Sequence, residues 1–262
     1  ALMSSSHVIV DLPKEAAKIL GWDGGKTEKD RKFLSDIMDL STGYNDAPFK
    51  DVLSLVADFK NNKDFANIEV LVIDMDPQGN GCSSFGVEVD KTQNSIYEVL
   101  LGEAKIKEAV YNSVMKGVDV IPSNVELSGA EVDLVYMDSR EKILKEALSE
   151  IKGAYDYIFM DCPPSLGLLT VNALTAADSI IIPIQCEYFA LVGLGQLMNT
   201  VRLIKKHLNP EIEIEGVLLT MKDNRSNLVA QVSDEIKKYF GAKVYDTYIP
   251  RNVRLAESPS HG

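Results

Sequence analysis

The stretch VLVIDMDPQGN, residues 70–80, is an apolar run that ends in two carboxylates. Residues 70–73 are all apolar, Asp74 and Asp76 follow, and a Pro-Gln-Gly turn then breaks the run. A short run that is apolar on both faces and is closed by Pro and Gly is typical of a buried strand in a parallel sheet. Asp74 and Asp76 are therefore predicted to lie at the carboxyl end of such a strand.

Five further apolar runs of the same kind follow, and helical patterns separate them. These runs are VDVIPS, YDYIFMD, SIIIPIQ, IEGVLLT and KVYDTYI. The stretch LGQLMNTVRLIKKHLNP illustrates the helices, with an apolar stripe and a proline just beyond its end. The alternation predicts an α/β fold with an open, mostly parallel sheet flanked by helices. In such a sheet, ligands bind at the carboxyl ends of the strands.

The first 67 residues have a different pattern. HVIVDL can be read as a strand, but PKEAAKIL, EKDRKFLSDIMDL and FKDVLSLVADF are helical patterns, joined by turns rich in Gly, Asp and Asn. We therefore predict an atypical helical segment over residues 1–67 and an α/β domain over residues 68–262.

Composition limits the classes of function. The net charge is -12 over 262 residues, which argues against a uniformly basic surface for nucleic acid. No apolar run is long enough to span a bilayer and no secretory signal is recognisable, so we expect a cytoplasmic protein without a membrane partner. The three cysteines lack CxxC spacing, which favours neither a disulfide framework nor a zinc site.

A second strand ends in a carboxylate. YIFMDCPPSLG carries Asp161 after four apolar or aromatic residues, a pattern typical of a carboxylate that holds Mg²⁺ through water beside nucleotide phosphates. For any single Asp, a strand terminator or helix cap is the more common role. The two prolines that follow suggest a stiff loop that senses a ligand. Because parallel strands bring their carboxyl ends to one edge of the sheet, Asp74, Asp76 and Asp161 are predicted to lie close together.

From about residue 68 to 262 the chain resembles the ParA/Soj family of chromosome and plasmid partitioning ATPases, of the deviant Walker A class. The matching stretches are VLVIDMDPQGN, DVIPSNVELSGAEVDL, YDYIFMDCPPSLGLLTVNALTAAD, IIIPIQCEYFAL, GVLLTMKDNRSNL and YIPRNVRLAESPSHG. The resemblance implies a P-loop NTPase-like fold, ATP and Mg²⁺ as cofactors, and a homodimer that binds DNA nonspecifically while ATP-bound. It also implies a ParB-type partner and a nucleoid-associated location. Measured against the family, the α/β domain is expected to be C-terminally truncated.

By position, the resemblance implies roles for individual residues. Asp76 would orient the attacking water, and Asp74 would lie beside the phosphates in the first switch. Asp161 would be the carboxylate that holds the metal. The other implied positions are Met221, Asp223 and Pro250 at the adenine pocket, Pro163 beside the cofactor in the second switch CPPSLG, and Arg225 and Arg254 facing DNA. Apart from the resemblance, each of these arginines would be interpreted as a solvated surface charge.

The phosphate-binding loop of that family, a lysine- and glycine-rich motif close to KGGxGK[ST], is missing from the sequence. The nearest stretch is GWDGGKT, residues 21–27, in which Trp22 and Asp23 stand where glycines are required. A bulky and a negative side chain there would oppose phosphate binding, so we interpret this stretch as a turn between helices. Poor ATP binding is expected, and the sequence leaves ATP hydrolysis open. An alternative is a non-enzymatic ParA-derived interaction module.

Residues 7–60 weakly resemble an internal piece of phage-type deoxynucleoside monophosphate kinases, around LPKEAAKILGWDG and DRKFLSDIMDLSTGYNDAPF. This resemblance implies a third hypothesis, a fusion related to a nucleotide kinase. It is the least favoured of the three, because these residues also lack that class of enzyme's phosphate loop.

Overall fold

The computed structural model of the chain describes most of the α/β region and one short amino-terminal segment. The described residues are 7–11, 68–85, 87, 93–115, 117–187, 190–222 and 227–251. The predicted helices of residues 12–67, and the GWDGGKT turn between them, lie outside the described residues. The division of the chain at residue 67 therefore stays a prediction.

Eight strands form one sheet within the described residues. They are β1 (His7–Asp11), β2 (Val70–Asp74), β3 (Tyr111–Met115), β4 (Val118–Ile121), β5 (Tyr157–Cys162), β6 (Ser179–Gln185), β7 (Glu213–Lys222) and β8 (Val244–Pro250). Their order across the sheet is β3-β4-β2-β5-β1-β6-β7-β8. The six apolar runs predicted as strands are β2 and β4 to β8, and this part of the prediction is confirmed.

Two strands run against the others. β3 pairs antiparallel with β4, and Gly117 lies in the short connection between them with a φ of +68°, a conformation that favours glycine. β1 pairs antiparallel with both β5 and β6. The expected mostly parallel sheet is confirmed, and HVIVD, residues 7–11, is a strand in its centre. Neither β3 nor the direction of β1 was predicted from the sequence pattern.

Helices connect the strands. They are α1 (Asn80–Ser84), α2 (Ile96–Leu100), α3 (Leu127–Leu134), α4 (Ile143–Leu148), α5 (Leu168–Ala176), α6 (Ala190–His207) and α7 (Asn227–Phe240), with short 3₁₀ turns at Ile106–Ala109, Lys152–Ala154 and Gly241–Lys243. The helical pattern predicted before Pro210 is α6. None of the helices in the described part of the chain is both long and apolar enough to cross a membrane.

The core lies between the sheet and these helices. Leu71 and Ile73 of β2 and Ile158 and Met160 of β5 are fully buried. A fully buried side chain of this size contributes roughly 1.5–3 kcal/mol relative to an exposed one. α5 is also buried along most of its length, and the amide of Asn172 donates to the carbonyl of Arg140 at 2.7 Å. Because these strands are packed tightly, the residues at their carboxyl ends are held in fixed positions.

Candidate functional site

The carboxylates of β2 and β5 lie side by side at one edge of the sheet. The two strands are parallel neighbours, and Asp74 is the direct partner of Asp161 in their register. Just beyond this pair, the N–H of Met75 donates to the carbonyl of Asp161 at 2.7 Å. The predicted meeting of these strand ends is confirmed.

Asp74 is a buried carboxylate whose two oxygens both accept hydrogen bonds. Its Oδ1 accepts from the N–H of Asp76 at 3.0 Å, and its Oδ2 accepts from the N–H of Cys82 at 2.9 Å. The side chain has no solvent exposure. Asp74 therefore ties the loop after β2, and the start of α1, to the end of its own strand.

Asp76 lies in that loop and is partly buried. Its Oδ1 accepts from the N–H of Gln78 at 3.0 Å, and its carbonyl oxygen accepts from the Ser123 hydroxyl at 2.7 Å. Ser123 follows β4, and sequence reasoning missed it. The signal was available, because β4 was predicted as a parallel strand and its carboxyl end must reach the same edge as β2.

Asp161 differs from Asp74 because one of its oxygens has no partner. Its Oδ1 is buried, and no group in the described part of the chain donates a hydrogen bond to it. Burial first, and then the negative charges of Asp74 and Asp76, raise the pKa of the Asp161 carboxyl from its ordinary 3.8 to about 7. An unpaired buried carboxylate beside two others costs folding free energy, and such groups are concentrated at functional sites.

A glycine packs directly over the paired carboxylates. A Cβ atom on Gly81 would lie 2.8 Å from Oδ2 of Asp74 and 3.3 Å from Oδ2 of Asp161. Asp74 is buried and holds two backbone N–H groups, so it cannot rotate away without losing those bonds. Gly81 was also missed by sequence reasoning, because the need for a glycine appears only when α1 is placed over the strand ends.

Gly81→Ala is therefore expected to lower the free energy of unfolding by about 1–3 kcal/mol, through the close contact and a displaced Asp74. Urea denaturation measures the loss. Gly195→Ala is the matched control, since Gly195 lies on the exposed side of α6 and a Cβ there would meet nothing within 4 Å. An equal effect of the two substitutions would show that the packing over Asp74 is not the cause.

The loop after Asp161 is connected to α3 by a hydrogen bond at its end. Pro163 is buried in this loop, near the carboxylates but separated from Asp161 by one residue. At the end of the loop, Oε1 of Glu131 lies 3.5 Å from the N–H of Leu169, which donates to it. A Cβ on Gly167 would clash with that carboxylate, so glycine is needed for the close approach. The negative charge lies at the amino terminus of α5, where the helix dipole favours it.

The residues implied at the adenine pocket lie farther along the same edge. Met221 is near the end of β7 with a φ of +52°, which is unusual for a residue other than glycine. Pro250 ends β8 and pairs in register with Lys222, whose ammonium group lies 4.1 Å from the centre of the Tyr248 ring. Asp223, Arg225 and Arg254 lie outside the described residues.

The edge fits a cation better than it fits phosphates. The unpartnered oxygen of Asp161 is of the type that Mg²⁺ or its bound water prefers. No three His, Cys, Asp or Glu side chains in the described ranges are arranged as a metal cage, so Mg²⁺ would take its other ligands from water or a bound anion. The centre of the sheet holds antiparallel β1, so its carboxyl end at Asp11 lies opposite Ile158, at the far edge. The described residues thus supply no phosphate cradle.

Comparison with known proteins shows the family to which the chain belongs. A family model described as an AAA domain matches residues 61–214. The sporulation initiation inhibitor protein Soj of Bacillus subtilis (strain 168) is 56% identical over 193 residues, which cover 74% of this chain and 76% of that protein. The chain belongs to the ParA/Soj family of partitioning ATPases. The chromosome partitioning protein ParA of Myxococcus xanthus (strain DK1622) is 50% identical over 197 residues, covering 75% of this chain and 70% of that protein.

A solved structure shows the same fold. Cobyrinic acid a,c-diamide synthase from Mycobacterium smegmatis, with a bound ATP analog and magnesium, superposes with a TM-score of 0.68 and 35% identity, covering 79% of this ParA/Soj-family chain and 84% of the synthase. The expected P-loop NTPase-like architecture is confirmed. None of the relatives named here is a nucleotide kinase, and the kinase resemblance of residues 7–60 falls almost wholly outside the described residues.

Proposed function

We propose that this ParA/Soj-family chain is a partitioning protein that acts as an ATP-switched homodimer, binds DNA nonspecifically and responds to a ParB-type partner at the nucleoid. The observation that carries the proposal is the pairing of Asp74 with Asp161 at the carboxyl edge of the sheet, in a chain 56% identical to Soj over 193 residues. A carboxylate left without a hydrogen-bond donor at such an edge is what a metal and nucleotide site needs.

Each residue of the site has a separate role in this proposal. Asp161 would hold Mg²⁺ through water, and Asp76 would orient a water molecule beside it. Bound Mg²⁺ supplies positive charge that neutralises an anionic ligand. In this proposal the nucleotide is surrounded by Pro163, Met221, Asp223 and Pro250. Arg225 and Arg254 contact DNA phosphates, for which guanidinium groups are suited without reading the sequence of bases.

ATP hydrolysis by this chain is expected to be weak. Backbone N–H groups and a lysine at the phosphates supply much of the binding and charge stabilisation in phosphoryl transfer. The sequence lacks the lysine- and glycine-rich loop that provides them, and β1 enters the sheet in the antiparallel direction. The carboxylates alone repel a triphosphate.

That same orientation of β1 favours a second candidate, a non-enzymatic interaction module that keeps the ParA sheet and its partner-binding helices. It predicts no dimerisation in response to ATP, and any DNA binding would be indifferent to nucleotide.

Titration of the full chain with ATP and Mg²⁺ by calorimetry measures its affinity for the nucleotide. Without a phosphate cradle, we expect a Kd above about 1 mM, equivalent to no more than ~4 kcal/mol of binding free energy. Analytical ultracentrifugation with and without ATP then tests for dimerisation. Dimerisation that depends on ATP supports the partitioning switch, and its absence at saturating ATP supports the interaction module.

A control addresses Lys26, the lysine of GWDGGKT. Micromolar ATP binding that Lys26→Ala abolishes would show that GWDGGKT binds phosphates, and our interpretation of that stretch as a turn would then be wrong. Micromolar binding that Lys26→Ala leaves unchanged would place the phosphate contacts elsewhere in the chain.

A further inference from the structure

The first two residues of α1 are an asparagine followed by a glycine. Asn80 and Gly81 form the only Asn-Gly pair in the sequence. Asparagine is one of the chemically labile residues of proteins. The backbone nitrogen of the next residue attacks its side-chain amide carbon, and glycine obstructs this attack least because it has no Cβ atom. The covalent structure of the pair therefore favours deamidation.

The local structure permits this reaction. Asn80 is exposed. The N–H of Gly81 is among the first four N–H groups of α1, which have no acceptor within the helix itself. α1 has five residues, too few for a helix to be stable without tertiary contacts. Local opening of the chain at this point therefore breaks few hydrogen bonds.

A second asparagine with a small residue after it is protected by the structure. Asn94 is followed by Ser95. Ser95 is buried, and its N–H donates to Oε2 of Glu98 at 2.7 Å. Attack by this nitrogen requires that the hydrogen bond breaks first, which adds to the barrier. Asn94 and Ser95 therefore provide an internal comparison for Asn80 and Gly81.

We propose that Asn80 is a site of spontaneous deamidation, and that its isoaspartyl product disrupts the packing over Asp74 and Asp161. The backbone nitrogen of Gly81 loses its proton and bonds to Cγ of Asn80, and the side-chain amide leaves as ammonia. Water then opens the cyclic imide at one of its two carbonyl groups. One opening gives ordinary aspartate. The other gives isoaspartate, in which the main chain is longer by one carbon atom.

The site has no room for a longer main chain. A Cβ atom on Gly81 would lie 2.8 Å from Oδ2 of Asp74 and 3.3 Å from Oδ2 of Asp161. The next residue, Cys82, is buried and donates its N–H to the same Oδ2 of Asp74 at 2.9 Å. An added carbon atom before Gly81 breaks this hydrogen bond and exposes Cys82. The proposal requires neither ATP nor Mg²⁺ binding by this chain.

Peptide mapping of the folded full chain tests the proposal. Trypsin places Asn80 in the peptide of residues 64–91 and Asn94 in the peptide of residues 92–105. During incubation at pH 8 with EDTA, the first peptide is expected to deamidate at least about tenfold faster than the second, a factor of the size that one hydrogen bond contributes. Mass spectrometry detects the exchange of the amide NH₂ for OH, and a protein isoaspartate methyltransferase labels isoaspartate.

The same tryptic peptide reports the structural consequence, because it contains Cys82 as well as Asn80. Iodoacetamide is added to the folded protein before digestion. Cys82 is expected to be alkylated at least about tenfold faster in isoaspartyl molecules than in unconverted ones, since thiol reactivity depends on exposure. Cys186 is the control, because it is also buried and lies on a different strand end. Its alkylation should be equally slow in both forms.

Two variants separate the cause from the consequence. Asn80→Gln is expected to abolish deamidation of the peptide, because the longer side chain closes an imide ring far more slowly, and this result excludes Asn67 as the source. Asn80→Asp adds the negative charge but keeps the ordinary main chain, so Cys82 should stay unreactive. Circular dichroism melting checks that both variants are folded, which the exposure of Asn80 favours.

Three outcomes would overturn the proposal. The first is equal deamidation of the two peptides in the folded chain. The second is deamidation of Asn80 in the urea-unfolded chain but not in the folded chain, because α1 would then protect the pair. The third is Cys82 that stays unreactive in isoaspartyl molecules, or that is equally reactive in Asn80→Asp, because the longer main chain would then not be what disrupts the packing.

Discussion

Asp161→Asn is expected to stabilise the metal-free protein at pH 8 by about 2–4 kcal/mol. The pKa of the Asp161 carboxyl is raised from its ordinary value of 3.8 to about 7, first by burial and then by Asp74 and Asp76. Each unit of pKa change corresponds to about 1.4 kcal/mol, so the charged form costs on the order of 4 kcal/mol. Asn keeps the shape of the side chain and removes the charge, at the cost of placing an amide in the same confined site.

The direction of the pH dependence follows from proton binding. Between about pH 4 and pH 7 the folded protein holds a proton on Asp161 that the unfolded chain has already released. The stability contributed by this proton is fully present below the unfolded pKa and is lost as the pH rises through the folded pKa. The wild type should therefore lose stability over this interval relative to Asp161→Asn, and the two proteins should converge near pH 4.

Urea denaturation with EDTA at pH 4.5, 6 and 8 measures this difference. Asp138→Asn is the control, because Asp138 is exposed and its substitution should stay within about 0.5 kcal/mol of the wild type at each pH. Addition of Mg²⁺ at pH 8 should reduce the difference in the free energy of unfolding between the two proteins, because Mg²⁺ stabilises the wild type alone. If Asp161→Asn instead destabilises the protein at pH 8, the Asp161 carboxylate accepts a stabilising hydrogen bond or ion pair in solution. The edge would then not be a site available to a cation.

The meeting of Asp74 and Asp161 was predictable because it depends on two local features. Each residue ends a run that is apolar on both faces, and parallel neighbours bring their carboxyl ends to one edge of the sheet. Gly81 and Ser123 were not predictable in the same way. Their contacts depend on how the loop after β2 closes over the strand ends, and turn residues in the sequence do not specify that path.

The direction of β1 shows the limit of pattern reasoning more clearly. HVIVDL is an apolar run, and such a run has the same periodicity whether the strand is parallel or antiparallel to its neighbours. If β1 were parallel to its neighbours, its carboxyl end would lie beside Asp161. A strand that leads into a phosphate loop must end at that edge. Its partners β5 and β6 are parallel to each other, so either direction can complete the backbone pairing between them.

Ile9→Pro is expected to destabilise the protein by at least about 3 kcal/mol. Ile9 pairs with Met160 on one side and Ile180 on the other, so β1 is a central strand with hydrogen-bonding neighbours on both sides. Proline removes the backbone N–H and with it a hydrogen bond of the sheet, which destabilises a strand that is paired on both sides. Chemical denaturation measures the loss. Ile9→Val, which keeps the N–H and the β-branched side chain, should cost no more than about 1.5 kcal/mol.

An engineered disulfide tests the direction of β1. In the antiparallel register His7 lies opposite Cys162, within the Cα separation that a disulfide needs, while Asp11 lies opposite Ile158 at the other edge. His7→Cys should therefore form a disulfide with Cys162 under mild oxidation, detected by mass spectrometry of unreduced peptides, and Asp11→Cys should not. The reverse result would place the carboxyl end of β1 beside Asp161 and restore the geometry that a phosphate loop requires. Micromolar ATP binding would then be the expectation for this chain.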